Sequence, residues 1–370
     1  MSYKIPLSKP WLTDLESLSV KNSIDSGWLT QNGSEITKME NSLREHLISD
    51  RFITDRDVTT SSNGTTALHL ALLAIGINAG DEIIVPDFCY AAVYNAVIYC
   101  NATPVLVDVD IETWNVSIPK VLDAVTDKTK AVIVVDNYGR VADYVSLRAG
   151  LRTDIIIIQD ACESFPGINF EKNLCGQGDI STFSFYANKI ITSGEGGAIL
   201  GPVAVIEKIR IIKNQGVEKA GTFTHTQLGF NYRLSNMHAA LFNAQWSRKR
   251  EILEKRLEVF LTYKEFLGKS KSSIIGNFED NPWQLTCRLI DYKFTYGMLK
   301  GKLLEKGIET RPGFTPGSKT AHVTEKSVLN SCENSQVLSK EILCLPTFPE
   351  LTRNQIKFVS QELLNLLNPN

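Results

Sequence analysis

The sequence predicts an α/β protein, with a large domain built on a mostly parallel sheet and a smaller domain beside it. Three observations predict this. The runs Ala131 to Asp136 and Asp154 to Asp160 are β-branched and almost continuously apolar, as strands covered on both faces of a sheet are. Strand candidates alternate with helical patterns through the first half of the chain, which is the order that parallel pairing requires. The chain has 370 residues, more than one hydrophobic core usually supports, so two domains with a cleft are expected.

In chain order, Leu15 to about His46 reads as helix, broken at Asp25-Ser26-Gly27-Trp28. Val58-Thr59-Thr60 is a short strand candidate, and Asn63-Gly64-Thr65-Thr66 then opens the run ALHLALLAIGI. The apolar spacing of that run and its closing Gly76 suit a helix buried on most sides. IIVP after Asp81-Glu82 and PVLVDVD read as strands, with helices at Ala91 to Tyr99 and Pro119 to Val125. Beyond Ser184 the polar segment YANK and the glycine-rich SGEGGAIL predict a turn entering a further strand. One long helix is predicted from Ser235 to about Phe266, its second half rich in Lys, Arg and Glu and suited to bridging two domains. A strand near Trp283 to Ile290, a helix near Tyr296 to Lys306, an unpatterned loop from Thr315 to Asn334 and a closing helix from Thr352 to Leu367 complete the chain.

With 39 basic against 41 acidic side chains and a net charge of −2, the chain offers no field that would attract nucleic acid or an anionic membrane. The N-terminal MSYKIPLSKPWLTD lacks a basic segment followed by an apolar run, and apolar stretches elsewhere are strand-sized, so a cytoplasmic location is expected. Seven scattered cysteines with no CxxC pair argue against a disulfide framework and against a zinc site, and no metal is expected.

Three features carry chemistry. Asp160 ends a strongly apolar strand, at the edge where open α/β sheets bind ligands. Alone, such an Asp is more often a helix cap. Lys189 stands 29 positions later in FSFYANKIITSGEGGAIL, with apolar residues before it and glycines after it. Partial desolvation there would favour imine formation, although a lysine in a polar loop is ordinarily a solvated charge. NGTT, between a strand and a helix, offers backbone N–H groups and a hydroxyl to a phosphate, while no GxxxxGK[ST] or GxGxxG motif supports a P-loop or a dinucleotide site. A phosphate cradle, a carboxylate that would hold a pyridine nitrogen protonated, and a lysine beside glycines form the set that a pyridoxal-phosphate (PLP) enzyme needs.

The segments SGWLTQNG, NGTTALHLALLAIGINAGDEIIVPDFCYAAVYNAV, ATPVLVDVDIETWNV, QDACESF, GDISTFSFYANKIITSGEGGAIL, LGFNYRLSNMHAA and GIETRP closely resemble, nearly end to end, the nucleotide-sugar aminotransferases often called the DegT family. Within it the resemblance is greatest to perosamine synthase-like 4-aminotransferases of 4-keto-6-deoxyhexoses. It implies the fold-type-I PLP aminotransferase architecture: a large domain at residues 1–245, its mostly parallel sheet sandwiched by helices, and a smaller C-terminal α+β domain at residues 246–370. Lys189 would hold the cofactor as a Schiff base and move the proton between substrate and cofactor carbons, with pyridoxamine phosphate formed midway. Asp160 would pair with the pyridine nitrogen, Glu163 would lie near the cofactor hydroxyl where many relatives have Gln or His, and Tyr90 would stack on the ring. Gly64, Thr65 and Ser184 match phosphate ligands, and Asn231 matches a residue reaching the neighbouring subunit's phosphate, which implies a homodimer with shared sites. Trp28, Tyr186, Arg233 and Arg311 are candidates for contact with the sugar nucleotide, a guanidinium suiting paired phosphate oxygens. For Arg233 and Arg311 a structural ion pair is equally compatible, and for Trp28 a packing role is.

The implied reaction takes an amino group from L-glutamate to a GDP- or dTDP-linked 4-keto-6-deoxyhexose, for a surface polysaccharide or a glycosylated metabolite. Amination of a 3-keto sugar, or a non-catalytic sensor of the same fold, remains an alternative. A sugar dehydratase of this fold would carry His in place of Lys189. After GIETRP relatives continue with aromatic, Pro and His residues, whereas GFTPGSKTAH follows here, which leaves substrate contacts in that loop open.

Overall fold

The computed structural model describes residues 4–48, 55–167, 175–218, 222–268, 274–290 and 296–367. The first helical stretch is two helices, α1 (Asp14–Asp25) and α2 (Ser34–Leu47). A capping box starts α1: the Glu16 carboxylate accepts from Thr13 N at 2.7 Å. The break runs on to Gly33, where an added Cβ would lie 2.0 Å from Asn236 Cγ. Strand β1 (Arg56–Ser61) leads into α3 (Gly64–Ala74), whose Asn63 cap exchanges bonds with Thr66 at 2.9 and 3.1 Å. The predicted strand, glycine turn and helix are therefore present in that order.

The alternation continues through β2 (Glu82–Pro86), α4 (Ala92–Tyr99), β3 (Thr103–Val107), α5 (Ile118–Asp123), β4 (Thr129–Val135), α6 (Tyr144–Gly150) and β5 (Ile156–Asp160). Next come β6 (Ile180–Ser184), β7 (Gly197–Pro202) and α7 (Val203–Ile212), then α8 (Asn236–Ser247) and α9 (Lys249–Leu267). The long helix predicted from Ser235 to Phe266 is thus two. Arg248, at φ −102° and ψ 9°, interrupts it and turns its guanidinium onto buried Glu16 of α1 at 2.8 Å. No Gly or Pro marks the break, because a distant ion pair accompanies it rather than a local breaker.

The C-terminal part contains β8 (Ile274–Gly276), β9 (Thr286–Leu289), α10 (Tyr296–Glu305), β10 (Arg311–Pro312), α11 (Ala321–Thr324), β11 (Val328–Leu329), α12 (Glu333–Glu341), β12 (Ile342–Cys344) and α13 (Arg353–Leu367). The segment Thr315 to Asn334, expected as an unpatterned loop, carries α11 and β11. Buried carboxylates at strand ends tie it down: Asp87 accepts from Ser318 N and Oγ at 2.7 and 2.9 Å, and Asp108 accepts from Asn334 N and Ser335 N at 2.9 Å each. Polar bonds fix this segment, which is why its sequence shows no apolar period.

Among the described residues, eight strands form one sheet in the order β1-β7-β6-β5-β4-β2-β3-β11. Only the pairings of β7 with β1 and β6 are antiparallel. Alternate residues serve opposite faces. Ile83, Val85 and Ile133 pack with Leu68, Leu72, Val93 and Ile209 of α3, α4 and α7, while Ile84, Val132 and Val134 pack with Val121 and Leu147 of α5 and α6. A second, antiparallel sheet has the order β10-β12-β9-β8, and a separate core gathers Val259, Phe260 and Tyr263 of α9 with Leu285, Leu343 and Val359. N-terminal Ile5 joins that second core and bridges Ile308. Among the described residues no helix is long and apolar enough to cross a membrane.

Candidate active site

Parallel pairing sends the ends of β5 and β6 to one edge of the sheet, and the start of α3 meets them there. A Cβ on Gly64 would lie 2.9 Å from Ser184 Cβ and 3.0 Å from Cys162 Sγ, so bare backbone is required at the first turn of α3. The Asn63–Thr66 cap engages the Thr66 N–H, and those of Gly64 and Thr65 have no protein partner among the described residues. Two free donors at the positive end of a helix suit a phosphate. Ser184 lies beside them, its Oγ accepting weakly from Tyr186 N at 3.4 Å.

Asp160 and Glu163 are both buried here. Asp160 Oδ1 accepts from Cys162 N at 3.1 Å. Burial raises its pKa above the ordinary carboxylate value, against the lowering effect of that bond and of the charge on Lys189. Glu163 Oε2 accepts from Tyr138 N at 2.7 Å. Its pKa is pushed up to about 7, first by burial, which outweighs attraction to Lys189 and the Tyr138 bond, while Asp160 and Asp136 add repulsion.

Lys189 is half-buried, its N–H donating to Tyr186 O at 2.9 Å, and its Nζ lies 4.1 Å above the Trp283 ring centroid. An aromatic row continues from there: Trp283 stacks on Tyr138 at 6.3 Å, and Tyr138 on Phe314 at 4.7 Å and 11°. Tyr90 meets Phe314 edge-on at 6.4 Å and is 63% exposed, leaving a ring face open to a ligand.

Contacts thus gather Gly64, Thr65, Ser184, Asp160, Glu163 and Lys189, with Tyr90 joined through Phe314. Of the remaining candidates only Tyr186 touches this group, through its backbone bonds to Lys189 and Ser184. Tyr186 is exposed and bridges Gly194. Trp28 is 58% exposed in the turn after α1, its carbonyl accepting from Asn236 Nδ2 at 2.9 Å. Exposed Asn231 accepts from Arg233 Nε and Nη2 at 3.1 and 2.8 Å, and Arg233 Nη1 reaches Asn214 Oδ1 at 2.8 Å. Within one chain, among the described residues, that pair makes no hydrogen bond to Lys189. Arg311 is exposed on β10, 3.9 Å from the Glu309 carboxylate. The sequence reading missed Tyr138, Trp283 and Phe314, which meet only in the fold. The one local signal was NYG, where Tyr138 adopts φ 55°.

The donor set fits pyridoxal phosphate: helix-end N–H groups and a hydroxyl for the phosphate, a buried carboxylate for a ring nitrogen, an amine for the aldehyde, and an open tyrosine face for the ring. A sequence model of the DegT/DnrJ/EryC1/StrS aminotransferases matches residues 12–364. The chain belongs to that family. It is accordingly an enzyme, an aminotransferase, and its cofactor is pyridoxal phosphate. It is 34% identical over 373 residues to the GDP-perosamine synthase of Vibrio cholerae, covering 98% of this chain and 99% of that protein. Against the GDP-perosamine synthase of Escherichia coli O157:H7 it is 33% identical over 377 residues, 97% of each chain. Among solved structures, Helicobacter pylori PseC, an aminotransferase involved in pseudoaminic acid biosynthesis, superposes with a TM-score of 0.89 at 21% identity, covering 98% of this chain and 99% of that one. That last likeness carries the fold.

Burial of Glu163 has a consequence for the cofactor-free protein. Its folded pKa of about 7 exceeds the ordinary 4.5, so the folded state holds this proton more tightly than the unfolded state. The contribution is complete below about pH 4.5 and is lost as pH rises to about 7, a change of about 3 kcal/mol. The melting temperature of the cofactor-free protein should fall between pH 5 and pH 8. Glu163→Gln should fall distinctly less, and identical slopes would rule out Glu163 as the source.

Proposed function

We propose that the chain transfers an amino group from L-glutamate to a GDP-linked 4-keto-6-deoxyhexose, giving a 4-amino-4,6-dideoxy sugar nucleotide. The observation that carries the chemistry is that Lys189 lies within electrostatic reach of two buried carboxylates, Asp160 and Glu163, at the end of the sheet where α3 begins. The names of the two relatives, alike over nearly the whole chain, support a nucleotide-sugar substrate, and GDP over dTDP.

Pyridoxal phosphate, when bound, supplies an electron-withdrawing ring on which the carbon next to nitrogen can lose a proton. Lys189 would serve in turn as the base and the acid for that proton. Asp160 keeps a positive charge at the ring nitrogen. Glu163, with its pKa near neutrality, can hold or release a proton beside the cofactor hydroxyl. Tyr90 would hold the ring, and Gly64, Thr65 and Ser184 would hold the phosphate. Tyr186, Trp28, Arg233 and Arg311 are assigned to the sugar-nucleotide side of the cleft.

The working unit is a homodimer in which exposed Asn231 completes the neighbour's phosphate site, and the enzyme acts in the cytoplasm. The large domain spans residues 1–245 and the small one 246–370, apart from Ile5, which packs with the second core, and β11, which pairs with the first sheet. The test is to incubate the PLP-loaded protein with L-glutamate and either GDP- or dTDP-linked 4-keto-6-deoxyhexose, and to read products by mass. Amine formation from the GDP sugar is expected. Amination of neither sugar would overturn the proposal.

A further inference from the structure

We infer that Trp283 is a positioning residue whose indole face holds the Lys189 amine whenever that amine is not bonded to the cofactor. The inference rests on the reading of Lys189 as the working lysine and adds a residue from the other end of the chain. Nζ of Lys189 lies 4.1 Å above the ring centroid, within the range over which an indole attracts a cation.

The indole is fixed by one bond of its own and by bonds of the backbone that carries it. Its Nε1 donates to the Asn188 carbonyl at 3.0 Å, so the ring is tied to the backbone directly before the lysine it holds. The Trp283 backbone N–H donates to Asn281 O at 2.8 Å, which holds the main chain that carries the ring. The Trp283 backbone carbonyl accepts from Arg256 Nη1 at 2.8 Å, and Arg256 is a fully buried guanidinium spent on the carbonyls of Pro282 and Trp283. Tyr138 stacks on the ring at 6.3 Å and 20°, and Tyr138 N holds Glu163. One rigid unit therefore spaces the amine and the Glu163 carboxylate relative to each other.

A lysine side chain has a flexible four-carbon stem and large rotamer entropy. Proton transfer needs its nitrogen back at one place after each release. An aromatic face that moves with the Asn188 carbonyl confines the stem without a second covalent tie, and unlike a carboxylate it offers the amine no strong acceptor for its proton.

The test uses the full-length protein, first free of cofactor, with its lysines reductively methylated with carbon-13. The Lys189 methyl signal is assigned by its disappearance in Lys189→Ala. In the native protein this signal should lie upfield of exposed lysines, displaced by the indole ring current. It should remain partly upfield in Trp283→Phe and join the exposed lysines in Trp283→Leu. With cofactor loaded, Trp283→Leu should lose about tenfold in kcat with KM for the sugar nucleotide little changed, and Trp283→Phe should recover most of it. A Lys189 signal among the exposed lysines in the native protein would overturn the inference, as would full kcat in Trp283→Leu. If Lys189→Ala still transaminates while the upfield signal stands, the assignment of Lys189 fails instead.

Discussion

Lys189→Ala is expected to lower turnover by at least about 10³-fold while leaving the fold intact. Positioned acid–base groups contribute about 10²–10⁴-fold, and this amine is assigned both directions of the proton shift as well as the covalent hold on the cofactor. The structural cost of the substitution is small. Lys189 is half-buried; Nζ loses its cation–π contact with the Trp283 face, worth about 0.5–2 kcal/mol, and its attraction to the buried Asp160 and Glu163, whose raised pKa values let them take up protons in its place. Thermal melting of the cofactor-free variant should therefore shift by only a few degrees. Single-turnover transamination with glutamate, followed by absorbance of the bound cofactor, is the measurement. Residual transamination within about tenfold of the native rate would refute the assignment.

The parts of this site legible in the sequence are those written locally. Asp160 follows an apolar run that can only be a covered strand, and Gly64 sits between a strand and a helix with its cap residues on either side. Lys189 and Asp160 are near in sequence because adjacent parallel strands carry one of them and lead to the other. Strand β6 gave no such signal. Its residues Ser181, Thr182 and Ser184 are polar yet buried, Ser181 being satisfied by Gln159 Oε1 at 3.0 Å, so a polar stretch occupies a central strand. Tyr138, Trp283 and Phe314 were illegible for a different reason. Each is an ordinary core aromatic in its own segment, and only the packing of α9 and the second sheet against the first brings them to Lys189.

Asp160→Asn separates function from stability in opposite directions. The amide keeps the shape of the carboxylate and can still accept from Cys162 N, so packing at the end of β5 should persist. It cannot carry the negative charge that holds a proton on the ring nitrogen. Removing one preorganised electrostatic partner of this kind costs about 10²–10³-fold in kcat, and that loss is expected at saturating cofactor. In the cofactor-free protein the same change should stabilise. Burial raises the folded pKa of Asp160, so its contribution to stability is present at low pH and is lost as pH rises through the folded pKa. Above that pH the native protein keeps a buried carboxylate ionised with no cofactor charge beside it, and asparagine relieves this. Melting at pH 8 without cofactor should therefore rise in Asp160→Asn as kcat falls. A variant that lost both activity and stability would mark Asp160 as a structural cap, the role an Asp at a strand end most often has, and near-native kcat would remove it from the proton chemistry altogether.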